Sequence, residues 1–291
     1  MEWTPGGVNN DIEDRRDESG GGVGGFRGGG FGFGGLGLGG IIIVGLLSLL
    51  FQKNLFTLFS GGTGQEQVVH RAPNPERTAR EQPEVEFVSF VLRDVQDNWD
   101  RVLPQTANRP YRHAKLVLFR NEYPSGCGLA RDAIGPFYCP EDEKVYLDLG
   151  FFDELRNRFG APGEFAQAYV IAHEVGHHVQ KVLGIEPQVR RLQQGRPDQA
   201  NALSVRLELQ ADCFAGVWAH STAQRNIINE SDVQSGLGAA AAVGDDRLQR
   251  QARGRVSPES FTHGSSAQRT EWFKRGLASG QIGACNTFGG R

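Results

Sequence analysis

The chain has 291 residues, of which 38% are hydrophobic and 22% charged, and its net charge is −3. That is enough for one sizeable domain with extensions. With no basic excess, it argues against a nucleic-acid partner.

Glycine is the outlier, with 40 residues. Between Gly20 and Gly40, 14 of 21 positions are glycine. No core can be built from such a stretch, so residues 1–30 are expected to be a disordered, Gly-rich tail. A phosphate-cradling role for these glycines is disfavoured, because neither a lysine nor P-loop spacing accompanies them. Next comes "FGFGGLGLGGIIIVGLLSLLF", Phe31 to Phe51, without a charge. At about 1.5 Å per residue it matches the roughly 30 Å of a hydrocarbon core. A cleaved signal peptide or a buried core helix are the alternatives. The acidic "NNDIEDRRDESG" ahead of it and the lack of an A-x-A site speak against the signal peptide. Residues 31–53 are therefore expected to be one transmembrane anchor. Arg15, Arg16 and Arg27 before it favour an N-terminus inside, leaving the large C-terminal domain outside the cytoplasm in a single-pass cell-membrane protein.

Residues 54–83 are polar and proline-containing and read as a linker. The folded domain is expected over residues 84–291. "VEFVSFVLRDVQDNWDRVL" has helical spacing at Phe87, Phe90, Val91, Val95 and Trp99. "AKLVLF", "GPFYC" and "KVYLDL" read as strands, the last of them as the edge of a cleft to which a peptide could add by main-chain hydrogen bonds. A helix with an apolar stripe at Phe165, Tyr169, Ala172, Val179 and Leu183 follows, then a helix over "PDQANALSVRLELQADCFAGVWAHS" and another from Ser231 to about Arg250. This order predicts a helix-dominated α+β domain with a small sheet.

The chemistry centres on HEVGH, His173 to His177. Positions i and i+4 of a helix share a face, so both histidines can direct a ring nitrogen at one metal ion. Zinc accepts such nitrogens and in catalytic sites keeps a fourth position for water. Zinc lowers the pKa of that water towards about 7, and Glu174 is placed to act as its general base. An accidental HExxH on a buried helix is the alternative. A third ligand decides between them. The H-x-x-G-x-x-H continuation of one zincin group is excluded, since Gln180 and Leu183 occupy the positions it needs. "RLELQADCFAG" offers Glu208 and Asp212 one helical turn apart among apolar neighbours, where an unpaired acid is costly. Glu208 is the candidate third ligand, and Asp212 the candidate partner for the far nitrogen of a ligand histidine.

HEVGHHVQ, ELQADCFAG, "ESFTHGSSAQRTEWFKRG", "CGLARDAIGPFYCPEDEKVYLDLGFFDEL" and "NNDIEDRR" together resemble the bacterial putative neutral zinc metallopeptidase family over nearly the whole chain. The resemblance implies a single-pass membrane protein with a zincin-like domain and one Zn²⁺. The Glu-x-x-Ala-Asp pattern is also similar to that of membrane-associated zincins, where this glutamate, here Glu208, is the third ligand.

An oxyanion donor is also needed. His263, just before a capping-box pattern at Ser265 and Gln268, is the candidate, with Tyr169 and Tyr146 behind it. A purely bracing role for His263 is the alternative. His70, His113, His178 and His220 read as solvated or structural, His220 serving a helix dipole. Cys127 with Cys139 is the natural local disulfide, leaving Cys213 for Cys285 in an exported domain. Four buried thiols in a cytoplasmic domain is the other possibility. The expected function is hydrolysis of a peptide or protein substrate. The competing reading is a non-catalytic, zinc-stabilised domain that binds a partner protein at the membrane.

Overall fold

A computed structural model of the chain describes residues 1–18, 75–131 and 135–289. The expected anchor at 31–53, most of the expected linker and His70 lie outside these residues. Among the described residues no helix is long and apolar enough to cross a membrane.

The architecture is α+β with helices dominating. Strand β1 (Ile12–Asp14) is followed by α1 (Pro75–Arg80) and the long α2 (Gln82–Ala107). Then come β2 (Lys115–Phe119), the hairpin β3 (Glu122–Ser125) and β4 (Gly128–Arg131), β5 (Phe137–Cys139), β6 (Lys144–Asp148) and α3 (Gly150–Asn157). The C-terminal half is helical: α4 (Glu164–Val182), α5 (Ile185–Gly195), α6 (Ala200–Gln224), α7 (Glu230–Ala242), α8 (Asp245–Arg253) and α9 (Ser266–Ser279). The helix expected from Ser231 to about Arg250 is thus two helices, separated by an extended Gly244.

The main sheet has the order β1-β2-β6-β5, parallel except for the antiparallel β5–β6 pair. This corrects one expectation. β6, which contains "KVYLD", lies between β2 and β5, and the edge strands are β1 on one side and β5 on the other. Its burial pattern explains the misreading: Val145 to Asp148 are all buried, as befits a strand covered on both faces.

A second correction concerns the N-terminus. Residues 1–18 are not a disordered tail. Ile12, Glu13 and Asp14 pair with Leu116, Val117 and Leu118. The Asn9 N–H donates to Ser89 Oγ (2.8 Å), and Gln96 Nε2 donates to Asp11 Oδ2 (3.0 Å). Ser89 and Gln96 are fully buried on α2, which is affordable only because this segment and the Ala114 N–H satisfy them. Trp3 packs edge-on against Phe87. Arg16 is buried between Asp14 and Glu81 (2.7 and 3.0 Å), and Asp17 accepts from Thr78 Oγ1 at 2.7 Å. Residues 17 and 78, either side of residues 19–74, are therefore in direct contact. The folded domain also begins earlier than residue 84, since α1 starts at Pro75.

Helix α4 lies at the centre and is buried along most of its length, as its nearly all-round apolar sequence requires. Phe165 stacks on Trp218 of α6, and Trp99 of α2 meets Phe214 edge-on. Disulfides join Cys127 to Cys139 and Cys213 to Cys285, the pairs the sequence predicts.

Candidate metal centre

The site forms where α4 and α6 cross. Their separation is set by Gly176 inside the HEVGH motif. A Cβ there would stand 3.0 Å from the Ala211 carbonyl oxygen and 3.2 Å from the Ala211 Cα. With glycine the two backbones meet directly, and Glu208, one turn before Ala211, comes to face His173 and His177. Glu208 Oε2 lies 3.3 Å from His173 Nε2, and Oε1 lies 3.6 Å from His177 Nε2. One ligand atom from each of the three residues lies within 4.8 Å of the other two. A tetrahedral ion with bonds of about 2.1 Å spaces its ligand atoms about 3.4 Å apart. The donor set and its spacing therefore fit zinc.

Each histidine is turned by a partner on its far nitrogen. His173 Nδ1 donates to Asp212 Oδ1 (2.9 Å), as the sequence predicts for Asp212. His177 Nδ1 donates to Gln180 Oε1 (2.9 Å). Gln180 is oriented in turn because its Nε2 donates to the Leu207 carbonyl (2.7 Å) and Gln210 Oε1 (3.1 Å). Both Nε2 atoms are thereby turned towards Glu208, where a bound metal ion would take their lone pairs. Gln180, the residue that excludes the longer zincin motif, thus has a role missed from sequence. Its position three residues after a ligand histidine is the signal that could have found it.

Burial would raise the Glu208 carboxyl, but His177, His173 and His263 outweigh it and hold it far below the ordinary range. Glu174 behaves oppositely. Burial pushes it up to about 7, with Glu208 adding to the rise, while His173 and the main-chain N–H of Tyr138 pull it the other way. A bound dication would draw the value down again. Tyr138 lies in the edge strand β5, so that strand runs directly past the candidate base. The Tyr138 hydroxyl meets His178 Nδ1 (3.0 Å), and His178 Nε2 donates to the Arg112 carbonyl (2.7 Å). His178 is structural, as expected.

His263 sits in the loop between α8 and α9. Gly264 of that loop rests on Val205 and Leu209 of α6, where a Cβ would meet their side chains at 3.3 and 3.2 Å. This puts His263 in the field of Glu208. Burial opposes protonation of His263, but Asp245 and Glu208 raise its pKa. Asp245, fully buried at the start of α8, holds the loop. Its Oδ2 accepts from the main-chain N–H groups of Thr262, His263 and Gly264 (2.7, 2.6 and 3.1 Å), and its Oδ1 meets His263 Nδ1 at 3.1 Å.

The other two oxyanion candidates fail. Tyr146 donates to Asp142 (2.6 Å) and stacks on Phe137 within a separate small cluster. The Tyr169 hydroxyl is fully buried against Asp212. His220 bonds the Leu277 carbonyl (2.7 Å) and Gln224 (2.9 Å), bracing α6 against α9 rather than serving a dipole alone. His113 bridges Asp11 and Asp100 (2.7 and 2.8 Å).

With this geometry in place, comparison with known proteins decides the kinship. The family model described as "Putative neutral zinc metallopeptidase" matches residues 1–288. The chain belongs to this family. It is 47% identical over 295 residues to the "Uncharacterized protein YpfJ" of Escherichia coli K12, covering 99% of each chain. It is 45% identical over 201 residues to the "Uncharacterized protein Rv2575" of Mycobacterium tuberculosis H37Rv, covering 65% of this chain and 66% of that one. No solved structure matches. The family description implies zinc, and among the described residues His173, His177 and Glu208 form a cluster able to hold it.

Proposed function

We propose that this chain is a zinc-dependent endopeptidase in which Glu174 is the general base. The observation that carries the reading is the Glu174 carboxyl itself. It is buried next to the His173–His177–Glu208 cluster and held by the N–H of an edge strand. A carboxylate fixed beside the metal position can carry the proton from water to a leaving amine. Bound at the cluster, zinc would polarise the scissile carbonyl and make hydroxide available near neutral pH. Glu174 takes the proton released on attack and passes it to the departing amine. His263, steadied by Asp245, donates to the oxygen on which charge develops. An extended substrate adds to the outer edge of β5.

The competing reading, a zinc-stabilised partner-binding domain, is disfavoured because among the described residues the cluster offers three ligands, not the four of a closed structural site. The purified chain should hold one zinc, and Glu174→Gln should retain it while losing about 10²- to 10⁴-fold in peptide hydrolysis. Hydrolysis equal to wild type in that variant would overturn the assignment. His177→Ala should lose the metal.

We further propose that the protein is attached to the cell membrane through residues 31–53 with the domain outside the cytoplasm, a setting that two disulfides favour. The proposal differs from the single-pass, N-inside expectation in one respect. β1 pairs with β2, so residues 1–18 and 75–289 share one folded body, and one crossing between them would put two halves of a sheet on opposite sides of the bilayer. Both flanks therefore stand on the same side. Val8→Cys and Leu192→Cys, each at an exposed position, provide the test, because the native cysteines are all paired. A membrane-impermeant maleimide applied to intact cells should label both. Labelling of Leu192→Cys alone would restore the single crossing, and labelling of neither would place the domain inside.

A further inference from the structure

Two acids on α6, Glu208 and Asp212, lie one turn apart and both face His173. Either has the chemistry to bind a metal, so something must assign their roles. We propose that Arg269 is the positioning residue that does so, reserving Asp212 for His173 and leaving Glu208 to the metal. The inference rests on the zinc site proposed above.

Arg269 lies on α9 and is 3% exposed. Its Nε donates to Asp212 Oδ2 (2.8 Å) and its Nη2 to Asp212 Oδ1 (2.9 Å), a two-pronged grip on one carboxylate. Oδ1 also accepts from the Tyr169 hydroxyl and His173 Nδ1. Both oxygens of Asp212 are thus engaged, and the carboxylate is not available to an ion. Glu208 is treated differently, as its Oε2 stands 4.0 Å from Arg269 Nη2. Its oxygens are turned to the two Nε2 atoms.

The same Nη2 is 3.3 Å from Nδ1 and 3.4 Å from Nε2 of His173. A group that far from both nitrogens cannot lie in the ring plane without striking the carbon between them. The guanidinium therefore covers the face of the imidazole, an arrangement its planar form suits. His173 is held in its plane by Asp212 and over its face by Arg269, which fixes the direction of Nε2. Lysine could supply the charge but neither the fork nor the flat surface. Arg269 Nη1 reaches the Val243 carbonyl (3.3 Å), joining the end of α7 to the same point.

The placement of Arg269 is built into the helix crossing. Two turns further along α9, a Cβ at Gly276 would fall 2.0 Å from the Cys213 carbonyl oxygen, and one at Gly216 would fall 2.2 Å from the Phe273 oxygen. Glycine on both helices lets α6 and α9 touch backbone to backbone. Cys213, beside Asp212, is disulfide-bonded to Cys285 beyond α9.

The test uses the full chain and measures zinc affinity by chelator competition in Arg269→Gln, Arg269→Lys, Asp212→Ala and the double variant Arg269→Gln/Asp212→Ala. Zinc should bind about 10- to 100-fold more weakly in both Arg269 variants, the range for residues that orient a ligand. If Arg269 acts through Asp212, the double variant should bind no more weakly than Asp212→Ala. Cobalt substituted for zinc adds a signature a packing defect would not give. Its visible spectrum should change in Arg269→Gln, where the freed Asp212 can approach the metal, and revert in the double variant. Unchanged zinc affinity in a folded Arg269→Gln overturns the proposal. Should that variant not fold, wild-type affinity in Arg269→Lys does the same. A wild-type chain that holds no zinc fails earlier, and refutes the metal site rather than the role of Arg269.

Discussion

Replacing Asp245 with alanine tests how the loop carrying His263 is held. The carboxylate accepts three main-chain N–H groups at 2.6–3.1 Å and a histidine ring nitrogen at 3.1 Å. A buried donor stripped of its acceptor costs about 1–3 kcal/mol. Three such donors would cost more than twice that if all stayed dry. The loop is close to the surface, with the His263 side chain 24% exposed, so water can reach part of it. We expect Asp245→Ala to lose about 3–5 kcal/mol. Asp245→Asn keeps one acceptor oxygen and should lose about 1–2 kcal/mol. Urea unfolding monitored by circular dichroism gives both values from the midpoints, with the slope as a check that the transition stays two-state. If His263 is the oxyanion donor, Asp245→Ala should also lower kcat about 10- to 100-fold below the folded wild type, somewhat less than loss of a donor outright. A loss of stability under 1 kcal/mol together with an unaltered kcat would mean that the loop supports itself.

His113 should make stability pH-dependent. Burial opposes its protonation, but Asp100 and Asp11 raise its pKa above the ordinary value, so its contribution is complete below about pH 6.5 and fades as pH rises through the folded value. Asp11, whose pKa is lowered with help from Lys115 and His113 against burial, sets the lower limit, since the pair needs it ionised. Denaturation at pH 5.5 and 8.5 should show wild type losing stability relative to His113→Asn on going to the higher pH, and equal behaviour would refute the ion pair. Removing the Cys213–Cys285 bond, which spans 72 residues, should cost about 4 kcal/mol, against about 3 for Cys127–Cys139, which spans 12. Paired Cys→Ala variants compared by thermal unfolding would expose the reverse order. Gln180→Ala should weaken zinc binding about 10-fold by freeing the His177 ring, and unaltered affinity would show that the helix alone orients it.

The local part of this protein was legible from sequence. HEVGH sits on a helix because its neighbours are apolar with helical spacing, and the i, i+4 rule then puts His173 and His177 on one face. The same rule, applied to Glu208 and Asp212, places one acid opposite both histidines and the other on His173 Nδ1. The apolar runs at 115–119 and 144–148 are strands, and cysteine spacing anticipates both disulfides. Each of these rests on regularities that repeat within a few residues, or on a count that leaves a single pairing. What the tertiary structure alone decided involves partners far apart in the chain. β1 pairs with a strand about a hundred residues later, and no periodicity in "NNDIEDRR" announces it. β6 proved internal and β5 the edge, because strand order depends on which neighbours arrive on either side. Tyr146, plausible from sequence, points into another cluster, while Arg269 and Asp245 reach the site from helices whose approach is set by glycine contacts and backbone oxygens. Spacing along a helix determines which side chains share a face. Only the packing of one helix on another determines what that face meets.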